Sequence, residues 1–377
     1  MHRQLLLLRF SGFVIAGVVF TSVLYAQFGA ENIADQDIGL PPQAPFITFL
    51  GTVTPGKMAT DPSLPLSGPV AEALYEELRA QKTPAGPAGE VVTSIRTKYD
   101  EAGRTTEETR KQWGTETTTI NRYEGTRLVS QETTFPNSKK PRPKSWNYWV
   151  YDQSGKLTEY RRGSGDEIQN HYANFKRDGQ GRLTSFEYRQ GAKDEFFSRT
   201  EFRYSPDGKT IDSTFYDATG DVTRSTTQSV DDQGHVVWVA ICERDWKTKK
   251  PKAPLKVAFR YDAQGRLLEQ NTGAHEFEAA GSEHELPPGR ISIAYDDVKH
   301  TKTTAYAGYE GLLTSTVTYN ASGATIAVAG GTGDRNVDAE LECTYDSHEN
   351  WTTCQLIDKH TGVGTVAKRW RRTIAYR

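Results

Sequence analysis

A short pattern, Tyr261-Asp262-Ala263-Gln264-Gly265-Arg266-Leu267, constrains this chain more than any other feature, because variants of it recur along most of its length. Tyr99-Asp100-Glu101-Ala102-Gly103-Arg104 and Tyr151-Asp152-Gln153-Ser154-Gly155-Lys156-Leu157 are strong copies. Weaker ones stand at Arg177 to Arg182, Tyr204 to Lys209, Tyr216 to Asp221, Val230 to His235, Tyr295 to His300, Tyr319 to Ala324 and Tyr345 to Asn350. Repetition at this period means one small unit stacked many times.

The unit reads as a hairpin. Asp opens a turn by accepting a backbone N–H two residues on, and Gly three positions later supplies a positive φ. Together they describe a type I turn closed by a bulge, with Asp262 opposite Arg266 and Tyr261 opposite Leu267. Pro206 in Tyr204-Ser205-Pro206-Asp207-Gly208 suits the second position of such a turn. Residues before the turn alternate as strands do: Val257, Phe259 and Tyr261 on one face, Lys256, Ala258 and Arg260 on the other. Strong copies lie about 24 to 34 residues apart, room for two strands and two turns. The second turns are shorter, as at Tyr123-Glu124-Gly125, Arg189-Gln190-Gly191 and Tyr309-Glu310-Gly311. Lys299 and Glu349 occupy the position that Gly holds elsewhere. The expected fold is therefore all-β: an antiparallel meander of hairpin repeats forming an elongated, twisted or curled sheet.

The Tyr-Asp-x-x-Gly-Arg pattern resembles the YD (Rhs-type) repeats of bacterial exported and surface proteins, over about residues 90–377. The resemblance implies a β-sheet spiral of hairpins and an extracytoplasmic address. Large members coil such repeats into a shell around a toxic C-terminal domain. This chain has about ten copies and ends within the pattern, at Arg372-Thr373-Ile374-Ala375-Tyr376-Arg377, so it is identified as a short member without a toxin domain.

Residues 1–26 read as an export signal, with Arg3 and Arg9 before an apolar run from Phe10 to Leu24 and Tyr25-Ala26 at the expected cut. No Cys lies near that cut, which excludes a lipoprotein anchor. The membrane is a partner only if this segment stays uncleaved. Residues 27–66 are Pro-bearing and polar, as a linker is. From Ser67 to about Gln81, Ser67 suits a cap, Pro69 a first turn, and Val70, Leu74 and Leu78 an apolar stripe, which predicts one short N-terminal helix over 67–82. That helix is expected to cover the unpaired first edge or one face of the sheet.

Two basic, Pro-bearing insertions interrupt the repeats: Lys139-Lys140-Pro141-Arg142-Pro143-Lys144, followed by Trp146 and Tyr148, and Lys247-Thr248-Lys249-Lys250-Pro251-Lys252, preceded by Trp246. Cations beside aromatics suit a glycan or a polyanion, making Trp146, Tyr148, Trp246, Lys249 and Lys250 the ligand-binding candidates; solvated hairpin tips are the plainer account. A third insertion, from His275-Glu276 to His284-Glu285, is acidic.

With 377 residues, a formal net charge of −2 and a mean hydropathy of −0.65, the chain suits one elongated sheet rather than a thick core, and its near-neutral balance excludes nucleic acid as the partner. Of three cysteines, Cys343 and Cys354 flank one turn. A register with Tyr345 opposite Trp351 sets Cys343 opposite Thr353 and turns Cys354 to the other face, so no disulfide is expected there. Gly-x-Ser-x-Gly, His-Glu-x-x-His, Cys-x-x-Cys and phosphate-loop patterns are missing from the sequence, and Gly330-Gly331-Thr332-Gly333-Asp334 reads as a loop rather than a calcium turn. No cofactor, metal or catalytic residue is implied.

The functional expectation is a non-enzymatic exported protein, structural or binding a glycan or another protein of the cell envelope. Trp113, Trp146, Trp149, Trp238, Trp246, Trp351 and Trp370 are the aromatic candidates, each with packing against a neighbouring repeat as the alternative. An accessory of a toxin or adhesion system and a secreted hydrolase are the other readings.

Overall fold

The computed structural model describes residues 40–42, 60, 62, 65–78, 89–138, 140–191, 193–245, 248, 250–272, 289–308, 311–320, 324–330, 337–359 and 365–377. Its regular structure is entirely strand. β1 (Val70–Leu78), β2 (Val91–Tyr99), β3 (Thr105–Gln112), β4 (Thr115–Glu124), β5 (Arg127–Thr134), β6 (Ser145–Tyr151) and β7 (Leu157–Ser164) come first. Next are β8 (Glu167–Arg177), β9 (Leu183–Gln190), β10 (Glu195–Tyr204), β11 (Thr210–Asp217), β12 (Val222–Val230), β13 (Val236–Glu243), β14 (Leu255–Tyr261) and β15 (Leu267–Thr272). The last are β16 (Gly289–Asp296), β17 (Thr301–Gly308), β18 (Gly311–Tyr319), β19 (Thr325–Gly330), β20 (Val337–Tyr345), β21 (Trp351–Asp358) and β22 (Thr365–Tyr376). Each strand pairs antiparallel with its neighbours in sequence, and β22 pairs with β1, so the meander closes into a 22-stranded barrel.

Two expectations are corrected here. The sheet has no free first edge, and the segment expected as a helix over 67–82 is β1. The spacing of Val70, Leu74 and Leu78 is helical, but Ala73 and Tyr75 also alternate, and Tyr75 packs among Ile95, Trp351 and Trp370. As a strand the segment satisfies two ladders at once, with Tyr75 opposite both Ile95 and Arg372. Glu76 and Glu77 meet Arg371 and Lys368 across the seam. Filling two edges outweighs a single amphipathic helix turned on one face.

Closure follows from the turns. In Asp262–Arg266, Asp262 N donates to Arg266 O and Gly265 N to Asp262 O, both at 3.0 Å, while Tyr261 pairs with Leu267. One step further the register slips, because Leu268 is an extra residue and Arg260 pairs with Glu269. The same slip follows the turns at Tyr99, Tyr151, Arg177, Val230, Tyr319 and Tyr345. The extra residue is often Thr: Thr106, Thr158 and Thr352 donate their hydroxyls to the carbonyls of Lys98, Val150 and Thr344. A bulge bends its strand, and repeating it at one end of most repeat hairpins curls the sheet until its edges meet.

The same bulge corrects the cysteine reading. Tyr345 does face Trp351, but with Thr352 looped out Thr344 faces Thr353 and Cys343 faces Cys354, and the two form a disulfide. Other turns depart from the repeat. The left-handed residue near Lys299 is His300 (φ 52°), in a turn where Asp296 pairs directly with Thr301; Glu349 does take the glycine conformation (φ 64°). The Tyr216–Asp221 copy joins β11 to β12, at the opposite end from the other copies, whereas the short turn after Tyr123 joins β4 to β5 and sits among them.

Inner and outer walls are chemically distinct. Among the described residues no second layer covers the barrel, so the most deeply buried side chains lie on its concave wall; they include Leu157, Leu183, Val236 and Val257. An aromatic row, Trp149, Tyr160, Tyr172, Phe186 and Phe202, crosses β6 to β10 with ring centres 5.4 to 6.2 Å apart. The outer wall carries charges in pairs: Lys98–Glu107, Lys111–Glu116, Arg161–Glu159, and Arg260 and Arg290 on Glu269. A lipid-facing barrel needs an apolar outer band, where each Lys or Arg at mid-depth costs about 2–4 kcal/mol. This outer wall suits water.

Within the segment expected as a linker, Leu40 packs against the aromatic row, Pro41 is buried, and the Pro42 carbonyl accepts from Gln228 Nε2 of β12 at 2.8 Å. Residues 40–42 therefore lie against the inner wall. The export-signal residues lie outside the described residues.

Candidate functional site

The repeat residues build one rim of the barrel. The Asp262 carboxylate holds the N–H groups of Gln264 and Arg266 and the Arg266 Nε, and Asp100 and Asp178 do the same in their own turns. The Arg then lies over the Tyr of the next hairpin: Arg104 over Tyr123, Arg182 over Tyr204, Arg266 over Tyr295, at 4.3 to 4.5 Å. His235 takes this place on Tyr261, stacked at 4.7 Å. Each Tyr hydroxyl reaches back to the carbonyl after the preceding turn, Tyr204 to Leu183 and Tyr261 to Val236, both at 2.9 Å. Burial pushes the Tyr261 hydroxyl up to about 12. Asp100 sits below the ordinary carboxylate range through hydrogen bonds from Arg104; at Asp262 slight burial acts upward, but the bonds from Arg266 outweigh it. In these three turns the aspartate and the arginine are committed to each other.

The outer wall holds the arrangement nearest to a catalytic pair. His171 lies between Asp194, 2.7 Å from Nδ1, and Glu159, 2.6 Å from Nε2. A general base needs one imidazole nitrogen turned to a nucleophile. Here Nδ1 is hydrogen-bonded to Asp194, and Nε2 lies beside the Glu159 carboxylate without the geometry of a hydrogen bond. Among the described residues no hydroxyl or thiol stands at either nitrogen, so the ring ties β8 to the β9–β10 turn. Among the described residues no group of three or more His, Cys, Asp or Glu side chains converges as a metal site.

The expected ligand residues separate. Trp146 is buried; its indole covers Gly163 and donates to Gly165 O at 2.8 Å. Tyr148 donates to Glu132 at 3.1 Å. Lys250 is exposed, and Trp246 and Lys249 lie outside the described residues. Trp149, Trp351 and Trp370 are core, which leaves Trp238 and Trp113 as the exposed indoles among the described residues. The basic loops join β5 to β6 and β13 to β14, at the rim opposite the repeat turns.

What the sequence reading missed is a polar sector of the inner wall, on β3 to β7. Asn121 Nδ2 donates to Thr105 O, Gln131 Nε2 to Asn121 Oδ1, Asn147 Nδ2 to Gln131 Oε1, and the Tyr160 hydroxyl to Asn147 Oδ1, at 2.8 to 3.1 Å. An amide has two N–H donors and two lone pairs, so Gln131 and Asn147 each keep one donor and one acceptor beyond the relay, while the Asn121 side chain also bonds the Tyr123 hydroxyl. The buried Trp149 Nε1 beside it has no hydrogen-bond partner among the described residues. Arg110 and Arg162, on the same wall, are exposed. Twenty-two strands give a girth of roughly 105 Å, too wide for inner side chains to fill, so this sector faces water. The signal was present in the alternation Asn121, Tyr123 and Gln131, Asn147, but only closure turns those residues inward.

No protein-family model and no curated protein matches this chain. Among solved structures, a porin-like protein from Bacteroides uniformis aligns over 82% of this chain and 99% of its own at 11% identity, with a TM-score of 0.28. TcdB2-TccC3 aligns over 76% of this chain and 20% of its own at 11% identity (TM-score 0.25). A porin-like protein from Bacteroides vulgatus aligns over 82% and 98% at 12% identity (TM-score 0.16). Likeness at this level carries no argument about function.

Proposed function

We propose that this chain is a non-enzymatic exported barrel that works in water and binds a glycan of the cell envelope along the polar sector of its inner wall. The observation carrying this reading is the Asn121–Gln131–Asn147–Tyr160 relay. A sugar hydroxyl donates and accepts at once, and the relay offers a donor and an acceptor side by side at two successive positions, Gln131 and Asn147. The charged outer wall weighs against a lipid-embedded channel, and the committed aspartates and a His171 set between two carboxylates, with no nucleophile beside it among the described residues, weigh against hydrolysis.

Calorimetric titration of the chain with solubilised envelope polysaccharides and peptidoglycan fragments tests it. Replacing Gln131 and Asn147 together with Leu should weaken binding about tenfold or more, since each lost hydrogen bond is worth roughly 0.5–1.5 kcal/mol. Failure to retain any of these glycans, or retention unchanged in the double variant, overturns the reading.

A further inference from the structure

The turn between β3 and β4 is made of two residues, Trp113 and Gly114, with φ of 50° and 75° and with Gln112 paired to Thr115. Such a turn favours Asn-Gly, and a bulky residue at positive φ is an outlier. Trp113 is also 84% exposed. Strain and apolar exposure coincide in one side chain, and nothing among the described residues packs on it to offset them. Such a position points to something outside the chain.

The surroundings say what. The β5–β6 loop is braced against this hairpin: Asn137 Nδ2 donates to Glu116 at 2.7 Å. On its other side Gly165 N donates to Lys144 O at 2.8 Å, and the buried Trp146 holds Gly165. Lys111 and Lys144 are paired with Glu116 and Glu132, whereas Lys140 and Arg142 stand exposed, Arg142 over the Phe135 ring at 5.8 Å. Pro136, Pro141 and Pro143 stiffen the loop that presents them.

We infer that this hairpin tip and loop form one cationic lobe that docks the barrel on an anionic phospholipid surface, with the Trp113 indole in the headgroup layer. Indoles settle at that depth, and exposed Lys and Arg beside them are drawn to anionic lipid. A single projecting ring is far too little apolar surface for a stable protein interface, which needs roughly 1,000 Å² or more. The lobe lies at the rim opposite the repeat turns, so a docked barrel stands on its loops with the Asp–Arg–Tyr rim away from lipid. This inference does not rest on the glycan reading.

Vesicle co-sedimentation tests it, using the chain without residues 1–26, whose apolar run would itself enter lipid. Binding is expected to phosphatidylcholine vesicles containing phosphatidylglycerol, about tenfold or more above phosphatidylcholine alone, and to fall with salt. Trp113→Ala and the Lys140→Ala/Arg142→Ala pair should each lower it about tenfold with an unchanged thermal midpoint, since all three side chains are exposed. Lipids brominated near the headgroup should quench a part of the tryptophan emission that disappears in Trp113→Phe. Equal binding to both vesicles, no binding to either, binding only to an anionic polysaccharide, or unchanged binding by Trp113→Ala overturns the inference.

Discussion

Gly103 and Gly265 offer a controlled pair. Both sit at the left-handed position of a repeat turn with φ of 77°, and each N–H donates to the Asp carbonyl of its own turn. A Cβ on Gly103 would meet nothing within 4 Å, whereas one on Gly265 would lie 2.8 Å from the His235 ring. Gly103→Ala therefore reports the backbone alone, about 1 kcal/mol or somewhat more. Gly265→Ala must also push His235 off Tyr261, losing a stacked contact worth about 0.5–1.5 kcal/mol, for a total of about 1.5–2.5 kcal/mol. In a His235→Ala background, Gly265→Ala should fall back to the Gly103→Ala value. Glu349, already at φ 64°, provides the reverse test: Glu349→Gly should stabilise by about 1 kcal/mol and raise the thermal midpoint. Equilibrium urea denaturation followed by far-UV circular dichroism measures all of these. Equal costs for the two Ala variants would mean that contact between successive turns contributes nothing, and a destabilising Glu349→Gly would mean that the last turn is built differently.

Acid should loosen the barrel from its repeat rim. Asp100, Asp178 and Asp262 have folded values below the ordinary carboxylate range, so their stabilisation is present above about pH 4, the unfolded value, and lost as pH falls through the folded one. Thermal midpoints should hold between pH 7 and 5 and drop below about pH 4, and replacing the three residues with Asn should flatten that drop. A midpoint already falling near pH 6 would assign the acid response to other groups. The seam gives a second check: deleting residues 369–377 strips partners from both β1 and β21, and the exposed edges should drive oligomers on size-exclusion chromatography. A monomer of unchanged elution volume would argue against closure through β22.

The turns were legible because their chemistry is local. Asp262 and Gly265 meet within four residues, and the alternation of Val257, Phe259 and Tyr261 names their shared face without knowledge of any neighbour. The disulfide was misjudged for want of one residue: the bulge at Thr352 reverses the facing of everything beyond it, and strand periodicity alone has no term for it. Trp146 carries every mark of a ligand contact in the sequence, yet packs on Gly163 and pins a loop, because its exposure depends on what the neighbouring strand places beside it, here a glycine that leaves room for the indole.

An antiparallel all-β chain folded at Tyr-Asp-x-x-Gly turns was readable from the residues alone, since a turn and its two flanking strands are settled by near neighbours along the chain. Long-range pairing was needed to make Val70–Leu78 a strand, to bring the two ends of the meander together, and to turn Asn121, Gln131 and Asn147 to an interior. Each of those depends on curvature summed over the turns, and on two edges far apart in sequence gaining more from pairing with each other than either gains alone.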